Sequence, residues 1–404
     1  MIGVFLCGQP LSSYGAIIMR YCFLLCALIT VLSVTNGQTR IDARVEVDSV
    51  MREFIVSVPS GPAPAGGYPL VFMFHGTSQN GEIFYQDSQW KEKGEAQKFI
   101  TVFPTALRYC VIEDGQQRTT TKWHNGEAEE ISCPGQYMKS DIHFVRTMLD
   151  SIMSRFTIDR RRMYASGFSN GMGFASKLAV EMSDVFAAVA GCGSILSAGD
   201  SAKPKRNIPV WTVIGTLDDK WLKAFEGLGL TEFPFNDTTF FYFSRPIHRY
   251  IGTFNLADTY TRTEAGRTIT YRYSTPASSE PSTEFRFTLV NNMFHVYPNG
   301  NNIQFVAADI FWDFFSQYSS PTGIRETPSQ PGSVMLYPNP VHDVLHISGA
   351  GSATLVLRNL LGQEVLRSTV ENNASIRLPR LPGGIYSAEF ITGTTRTART
   401  ISVK

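Results

Sequence analysis

From about Arg44 to Tyr318 the chain alternates short apolar runs with stretches of helical spacing. Tyr68 to Phe74 is apolar throughout and ends in His75-Gly76-Thr77, and Phe186 to Cys192 and Ile208 to Ile214 are similar. Runs this short, bounded by glycine or polar residues, fit strands buried on both faces. Arg162 to Ser166 reads as a further short buried strand, and Glu284 to Val290 as one that alternates polar and apolar residues. After Ser166, Met172, Ala175, Leu178, Ala179 and Met182 recur at the helical period. Strands alternating with helices predict an α/β class, a mostly parallel sheet with helices on both faces.

Outside this region the pattern changes. Ser319 to Ser333 is rich in Ser, Pro, Thr and Gly and reads as a linker. Residues 334–404 carry short β-rich runs separated by turn residues, the pattern of a small C-terminal β-sandwich. At the other end, Arg20 and then the apolar run Tyr21 to Val34 form a signal-peptide pattern, with small residues before Gln38. That run is too short for a stable membrane anchor. Met19 offers an alternative start. The expected division is a signal peptide over 1–37, a main domain over 38–318, a linker over 319–333 and the sandwich over 334–404.

Chemistry enters with Gly167-Phe168-Ser169-Asn170-Gly171, set between a predicted strand and a predicted helix. A serine hydroxyl needs a neighbouring base to become a nucleophile. A sharp strand-to-helix turn exposes its Oγ, and small flanking residues let strand and helix approach. The amide of Asn170 would then face the oxygen on which charge develops. An acid is expected after a later strand, and Gly215-Thr216-Leu217-Asp218 supplies one, with Asp219 as a rival one residue on. A histidine is expected after one further strand, and His295 follows Glu284 to Val290. His75 and His124 precede the serine, His143 lies on a helix pattern, His342 and His346 belong to the terminal domain, and His248 has no strand immediately before it. Gly76 allows the sharp turn that would aim the Thr77 amide at Ser169, while His75 is read as a brace for this loop.

These residues, together with Phe294-His295-Val296-Tyr297-Pro298 and the helix start Ser140-Asp141, resemble the esterase family of polyhydroxybutyrate depolymerases, feruloyl esterases and acetylxylan esterases, over about Arg44 to Tyr318. The resemblance implies an α/β-hydrolase fold, a Ser169–Asp218–His295 triad, and the Thr77 and Asn170 amides as oxyanion hole. Met172 departs from the small residue often found at that position. Tyr337-Pro338-Asn339-Pro340-Val341, Leu361-Gly362 and Pro382-Gly383-Gly384-Ile385-Tyr386 resemble the type A sorting domain of type IX secretion. That implies the type IX machinery as a partner and a secreted or cell-surface location.

With a formal net charge of +1 over 404 residues, a nucleic-acid or membrane-surface role is not expected. No cysteine or histidine spacing suggests a metal site, and the chemistry needs no cofactor. Export would leave Cys110, Cys133 and Cys192. Cys110 and Cys133 bracket one polar insert and are candidates for a disulfide, and Cys192 is read as a buried thiol. Trp123 and Trp221 are candidate walls of a substrate pocket, and the aromatic segment Trp221 to Tyr273 lies where a lid or acyl-pocket wall would sit, although any single aromatic in it is more simply read as packing the insert onto the sheet. The expected substrate is an ester, polymeric or small: a hydroxybutyrate oligomer, a feruloyl ester or an acetyl ester. A serine peptidase of the same fold and a non-catalytic surface binding protein remain as alternatives.

Overall fold

The computed structural model describes residues 37–403 except 114, 201, 224–236, 277–282, 321–334, 338–340, 349–350, 360–361, 372–373 and 394. Nearly all of the predicted signal peptide and of the predicted linker lies outside the described residues. The chain divides into two compact units, 1–320 and 321–404.

The first unit is built on one ten-stranded sheet. Its strands are β1 (Thr39–Val47), β2 (Val50–Val58), β3 (Tyr68–Phe74), β4 (Ile100–Pro104), β7 (Ile158–Phe168), β8 (Ala188–Cys192), β9 (Val210–Gly215), β10 (Tyr260–Ala265), β11 (Thr268–Ser274) and β12 (Glu284–Val290). A separate hairpin, β5 (Arg108–Glu113) and β6 (Gln116–Thr121), stands outside the sheet. The order is β1-β2-β4-β3-β7-β8-β9-β12-β11-β10. The run β4-β3-β7-β8-β9-β12 is parallel, and the outer strands are antiparallel. This is the mixed sheet of an α/β-hydrolase.

Alternation along the strands sorts the core into two layers. Phe54, Phe72, Phe74 and Ala165 face one side, under the helices Asp141–Met153, Asn170–Glu181 and Asp237–Thr253. Ile55, Val71, Met73 and Tyr164 face the other, under Gly81–Asp87, Trp90–Gln97 and Ala307–Phe315. Strand β7 is longer than its apolar run, because Ile158 already pairs with Tyr68 across an irregularity in register.

The segment Trp221 to Tyr273 is not, in its described part, a lid. Its helix Asp237–Thr253 buries Phe243 and Tyr250 against the sheet, and Phe254 just beyond it is buried too; Tyr250 is stacked on Phe285 at 4.1 Å between ring centroids. Its strands β10 and β11 extend the sheet past β12. The aromatic content supplies core that covers the added strands. Phe225, Phe233 and Phe235 lie outside the described residues.

The second unit pairs β13 (Met335–Tyr337), β14 (Val344–Ser348) and β17 (Ala374–Arg377) in one sheet. Its other sheet holds β15 (Ala353–Arg358), β16 (Glu364–Val370), β18 (Gly384–Thr392) and β19 (Thr395–Val403). Leu345 and Ile347 from the first sheet share a core with Leu355, Leu357 and Phe390 from the second. It is a small sandwich with its own interior.

Candidate functional site

Ser169 stands between β7 and the helix Asn170–Glu181 with φ 52° and ψ −128°, a conformation that L residues avoid. Two glycines make the turn possible. A Cβ on Gly167 would lie 2.3 Å from the Gly171 carbonyl oxygen, and one on Gly171 would lie 2.3 Å from that of Phe74. Met172, the unexpected large residue, is fully buried and occupies space left open by Gly191, whose Cβ would meet its Sδ at 2.4 Å.

The structure brings Ser169, His295 and Asp218 together. Ser169 Oγ is 2.8 Å from His295 Nε2, and His295 Nδ1 is 2.8 Å from Asp218 Oδ2 and 2.9 Å from Oδ1. They follow the carboxyl ends of β7, β12 and β9, on one edge of the parallel sheet. With Nδ1–H donating to the carboxylate, Nε2 is left to accept the serine proton. Asp218 is buried, and its Oδ1 also accepts the Lys220 amide at 3.1 Å. Asp219 instead points to solvent beside Lys220. The acid loop fits closely under the histidine loop: a Cβ on Gly215 would lie 1.9 Å from the Met293 carbonyl oxygen.

The loop after β3 is held from several sides. His75 is buried, its Nδ1–H donates to the Gly76 carbonyl at 2.7 Å, and its Nε2 accepts the Ala106 amide at 3.0 Å. Burial lowers its pKa to about 4, against the opposing pull of the Gly76 carbonyl, so the ring is neutral. His75 therefore braces the loop. Among the described residues, neither the Thr77 nor the Asn170 amide donates to a protein acceptor. Asn170 opens a twelve-residue helix whose N-cap supplies no side-chain bond, so its amide carries the partial positive charge of the helix terminus.

Trp123 is not a pocket wall. It is fully buried, donates from Nε1 to the His75 carbonyl at 2.8 Å and stacks on Phe174 at 5.4 Å. The large ring fills the space beneath the Ser169 turn. Trp221 is half-buried, reaches toward the Gly193 carbonyl at 3.4 Å and leans on Phe243. A Cβ on Gly193 would lie 3.0 Å from His295 Cε1, so Trp221 borders the site. A cleft of about 250 Å³ opens beside His295. Phe84, Phe168 and Tyr297 line it together with the polar Gln79, Asp87 and Asn302.

Sequence reasoning missed the polar frame behind these residues. Asn170 Oδ1 accepts the Trp123 amide at 2.6 Å and its Nδ2 donates to the Trp123 carbonyl at 3.2 Å, which fixes Trp123 against the helix Asn170–Glu181. Lys177 Nζ donates to Asp200 Oδ1 at 2.9 Å, and the same oxygen accepts the Gly126 amide at 3.2 Å. Cys110 and Cys133 are joined by a disulfide, and Cys192 is a buried free thiol whose pKa is pushed well up by burial and by nearby Asp218.

The fold and this arrangement define the class of the α/β-hydrolases with a Ser-His-Asp constellation. Residues 53–207 match the family model described as Esterase PHB depolymerase, and residues 335–404 match that of the secretion system C-terminal sorting domain. Residues 53–207 are thus similar to an esterase family and residues 335–404 to a sorting domain, and the location is secreted or cell-surface. It is 27% identical over 168 residues to the bifunctional acetylxylan esterase/xylanase XynS20E of Neocallimastix patriciarum, covering 42% of this chain and 22% of that protein. It is 27% identical over 172 residues to feruloyl esterase B of Piromyces equi, covering 42% and 29%. Over 134 residues it is 30% identical to poly(3-hydroxyalkanoate) depolymerase C of Paucimonas lemoignei, covering 33% and 29%. The chain spans less than half the length of the curated relatives it matches. Among solved structures, an acetyl xylan esterase from Aspergillus awamori aligns with a TM-score of 0.46 at 15% identity, over 69% of this chain and 99% of that one. The family match ends before Asp218 and His295, so those two rest on geometry alone. No helix among the described residues is long and apolar enough to cross a membrane.

Proposed function

We propose that the chain is an exported serine carboxylic ester hydrolase that works through an acyl-enzyme. The observation that carries this reading is the pair of 2.8 Å contacts linking Ser169, His295 and Asp218 behind a strained serine. Ser169 Oγ attacks the ester carbonyl carbon while its proton passes to His295 Nε2. The resulting oxyanion is held by the Thr77 and Asn170 amides. The C–O bond to the alcohol then breaks, and His295 returns the proton to the leaving oxygen. Water repeats the sequence on the acyl-serine and releases the acid. Asp218 keeps the imidazole in the required tautomer and stabilises its cation.

The alcohol departs on the His295 side, where the 250 Å³ cleft offers aromatic faces together with a carboxylate and amides. Such a lining suits the hydroxyl-rich alcohol of a cell-wall ester better than the methyl-lined repeat of a hydroxybutyrate chain. Trp221 would border the other side of His295. The terminal unit would deliver the enzyme to the type IX secretion machinery. The test is initial rates on acetylxylan, methyl ferulate, hydroxybutyrate oligomers and a casein-derived peptide, for the wild type and Ser169→Ala. The expected result is ester hydrolysis, fastest on a carbohydrate ester, that Ser169→Ala abolishes with a loss of about a millionfold in kcat. Peptide cleavage without ester cleavage, or a tenth of wild-type activity in Ser169→Ala, would overturn the reading.

A further inference from the structure

We infer that Gln79 is a positioning residue that sets the Thr77 amide for the oxyanion, with the β5–β6 hairpin as its support; the inference rests on Ser169 being the nucleophile. The amides of residues 76 to 79 carry the argument. Gly76 N donates to the Gln79 side-chain Oε1 at 3.0 Å, Ser78 N to the Thr121 carbonyl at 3.2 Å, and Gln79 N to the Gly76 carbonyl at 3.2 Å. Thr77 N alone, of these four, has no acceptor among the described residues. A loop that consumes every amide but one leaves that one for a ligand.

The side chain of Gln79 also fixes where the loop stands. A Cβ on Gly76 would lie 2.7 Å from Gln79 Oε1 and 3.3 Å from Ser169 Cβ, so the carboxamide and the nucleophile flank the same backbone atom. Gln79 is in turn tied to the hairpin. Thr121 Oγ1 donates to the Gln79 carbonyl at 2.7 Å, and Ser78 Oγ is 2.6 Å from Thr120 Oγ1. The Cys110–Cys133 disulfide closes the far side of that hairpin. Loss of the carboxamide acceptor would leave the Gly76 amide unpaired beside the nucleophile and free the adjoining peptide to rotate. The Thr77 amide would then lose its aim, which weakens the transition state more than the bound ester.

The test compares Gln79→Met, which keeps the side-chain length and removes the acceptor, with Thr121→Val and the wild type. Steady-state rates on methyl ferulate and inhibition by phenylboronic acid, whose tetrahedral serine adduct places an oxygen in the oxyanion site, are measured for each. Expected for Gln79→Met is a fall in kcat of about 10- to 100-fold with little change in KM, and an equal weakening of the boronate. Thr121→Val should show a smaller loss of the same kind, and it carries the test if Gln79→Met does not fold. Gln79 also lines the cleft beside His295, and a role confined to that cleft would raise KM and leave kcat and boronate affinity unchanged; that result overturns the inference. A wild type that hydrolyses no ester and binds no boronate would instead overturn the assignment of Ser169 and the inference with it.

Discussion

Arg52 Nη2 and Asp141 Oδ1 are bonded at 2.7 Å, with 1% and 0% of the two side chains exposed. Arg52 comes from β2 and Asp141 from the first turn of the helix before the nucleophile strand. Asp141 Oδ2 also accepts the His124 amide at 2.7 Å, and the Arg52 guanidinium lies 4.0 Å over the Phe144 ring. The pair therefore ties an outer strand, a helix and the loop behind the proposed oxyanion site. Removing one partner strands a buried charge, so Arg52→Met should cost about 3–5 kcal/mol, read from urea unfolding. Arg52→Met combined with Asp141→Asn should lose clearly less than the sum of the single variants. Additive losses would show that the two charges are not coupled.

His75 gives the protein a specific acid sensitivity. Its ring titrates near 4 in the folded state, against 6.5 when unfolded, because burial disfavours the cation. As pH falls below 6.5 the unfolded chain takes up this proton first. The associated stability is thus full above 6.5, is lost as pH falls toward 4, and levels off below. The total is roughly 3 kcal/mol. His75→Gln should be less stable than wild type at pH 7, and the gap should narrow by most of that amount at pH 4. Chemical denaturation across the range measures it, and a gap that does not narrow would mean His75 charges without penalty.

The carboxylate assignment has a direct test. Asp218→Asn keeps shape but cannot hold the His295 tautomer, and a loss near ten-thousandfold in kcat is expected. Asp219→Asn, at an exposed side chain, should leave kcat within about threefold. Steady-state kinetics on a soluble ester compare them. Equal losses would remove Asp218 from its role.

Periodicity made the parallel strands and the nucleophile helix legible, since each buries a continuous face. The Gly-rich turn around Ser169 was legible because both flanking Cβ positions are filled by backbone oxygens. Three things were not. Trp123 looked like a pocket wall because nothing in its neighbours shows that its indole reaches the His75 carbonyl, 48 positions away. Which aromatics between Trp221 and Tyr273 pack the core was not legible, because Phe243, Tyr250, Tyr271 and Tyr273 find their buried neighbours only once the sheet extends past β12. The Gln79 and Asn170 side-chain bonds also stayed hidden, because amide partners carry no periodic signal.

The Cys110–Cys133 bond closes a loop with a sequence separation of 23 and holds the hairpin to which the loop after β3 is bonded. Chain-entropy reasoning gives about 3 kcal/mol for a loop of this size. The Cys110→Ala/Cys133→Ala variant should therefore lose stability by about that amount in urea unfolding, and peptide mapping of the exported wild type should show no free thiol at either position. Unchanged stability would mean that the hairpin is held by its other contacts, including the backbone bond from Cys133 N to the Cys110 carbonyl at 3.1 Å.

The two units have separate cores, and every residue of the candidate site lies in the first. Truncation after Ser320 keeps the bonds that Ser320 makes: its amide donates to the Arg161 carbonyl at 2.8 Å, and its hydroxyl oxygen accepts from Arg206 Nη2 at 2.7 Å. The truncated protein should fold and hydrolyse soluble esters within about twofold of the full chain, as an independent domain would. In the native host the same truncation removes the sorting domain, so the enzyme should accumulate in the periplasm instead of reaching the surface or the medium. Fractionation with activity measurements separates the outcomes. If the truncated enzyme still reaches the surface, and the isolated sandwich binds xylan or polyester particles, the terminal unit acts by raising local substrate concentration, and sorting is not its role.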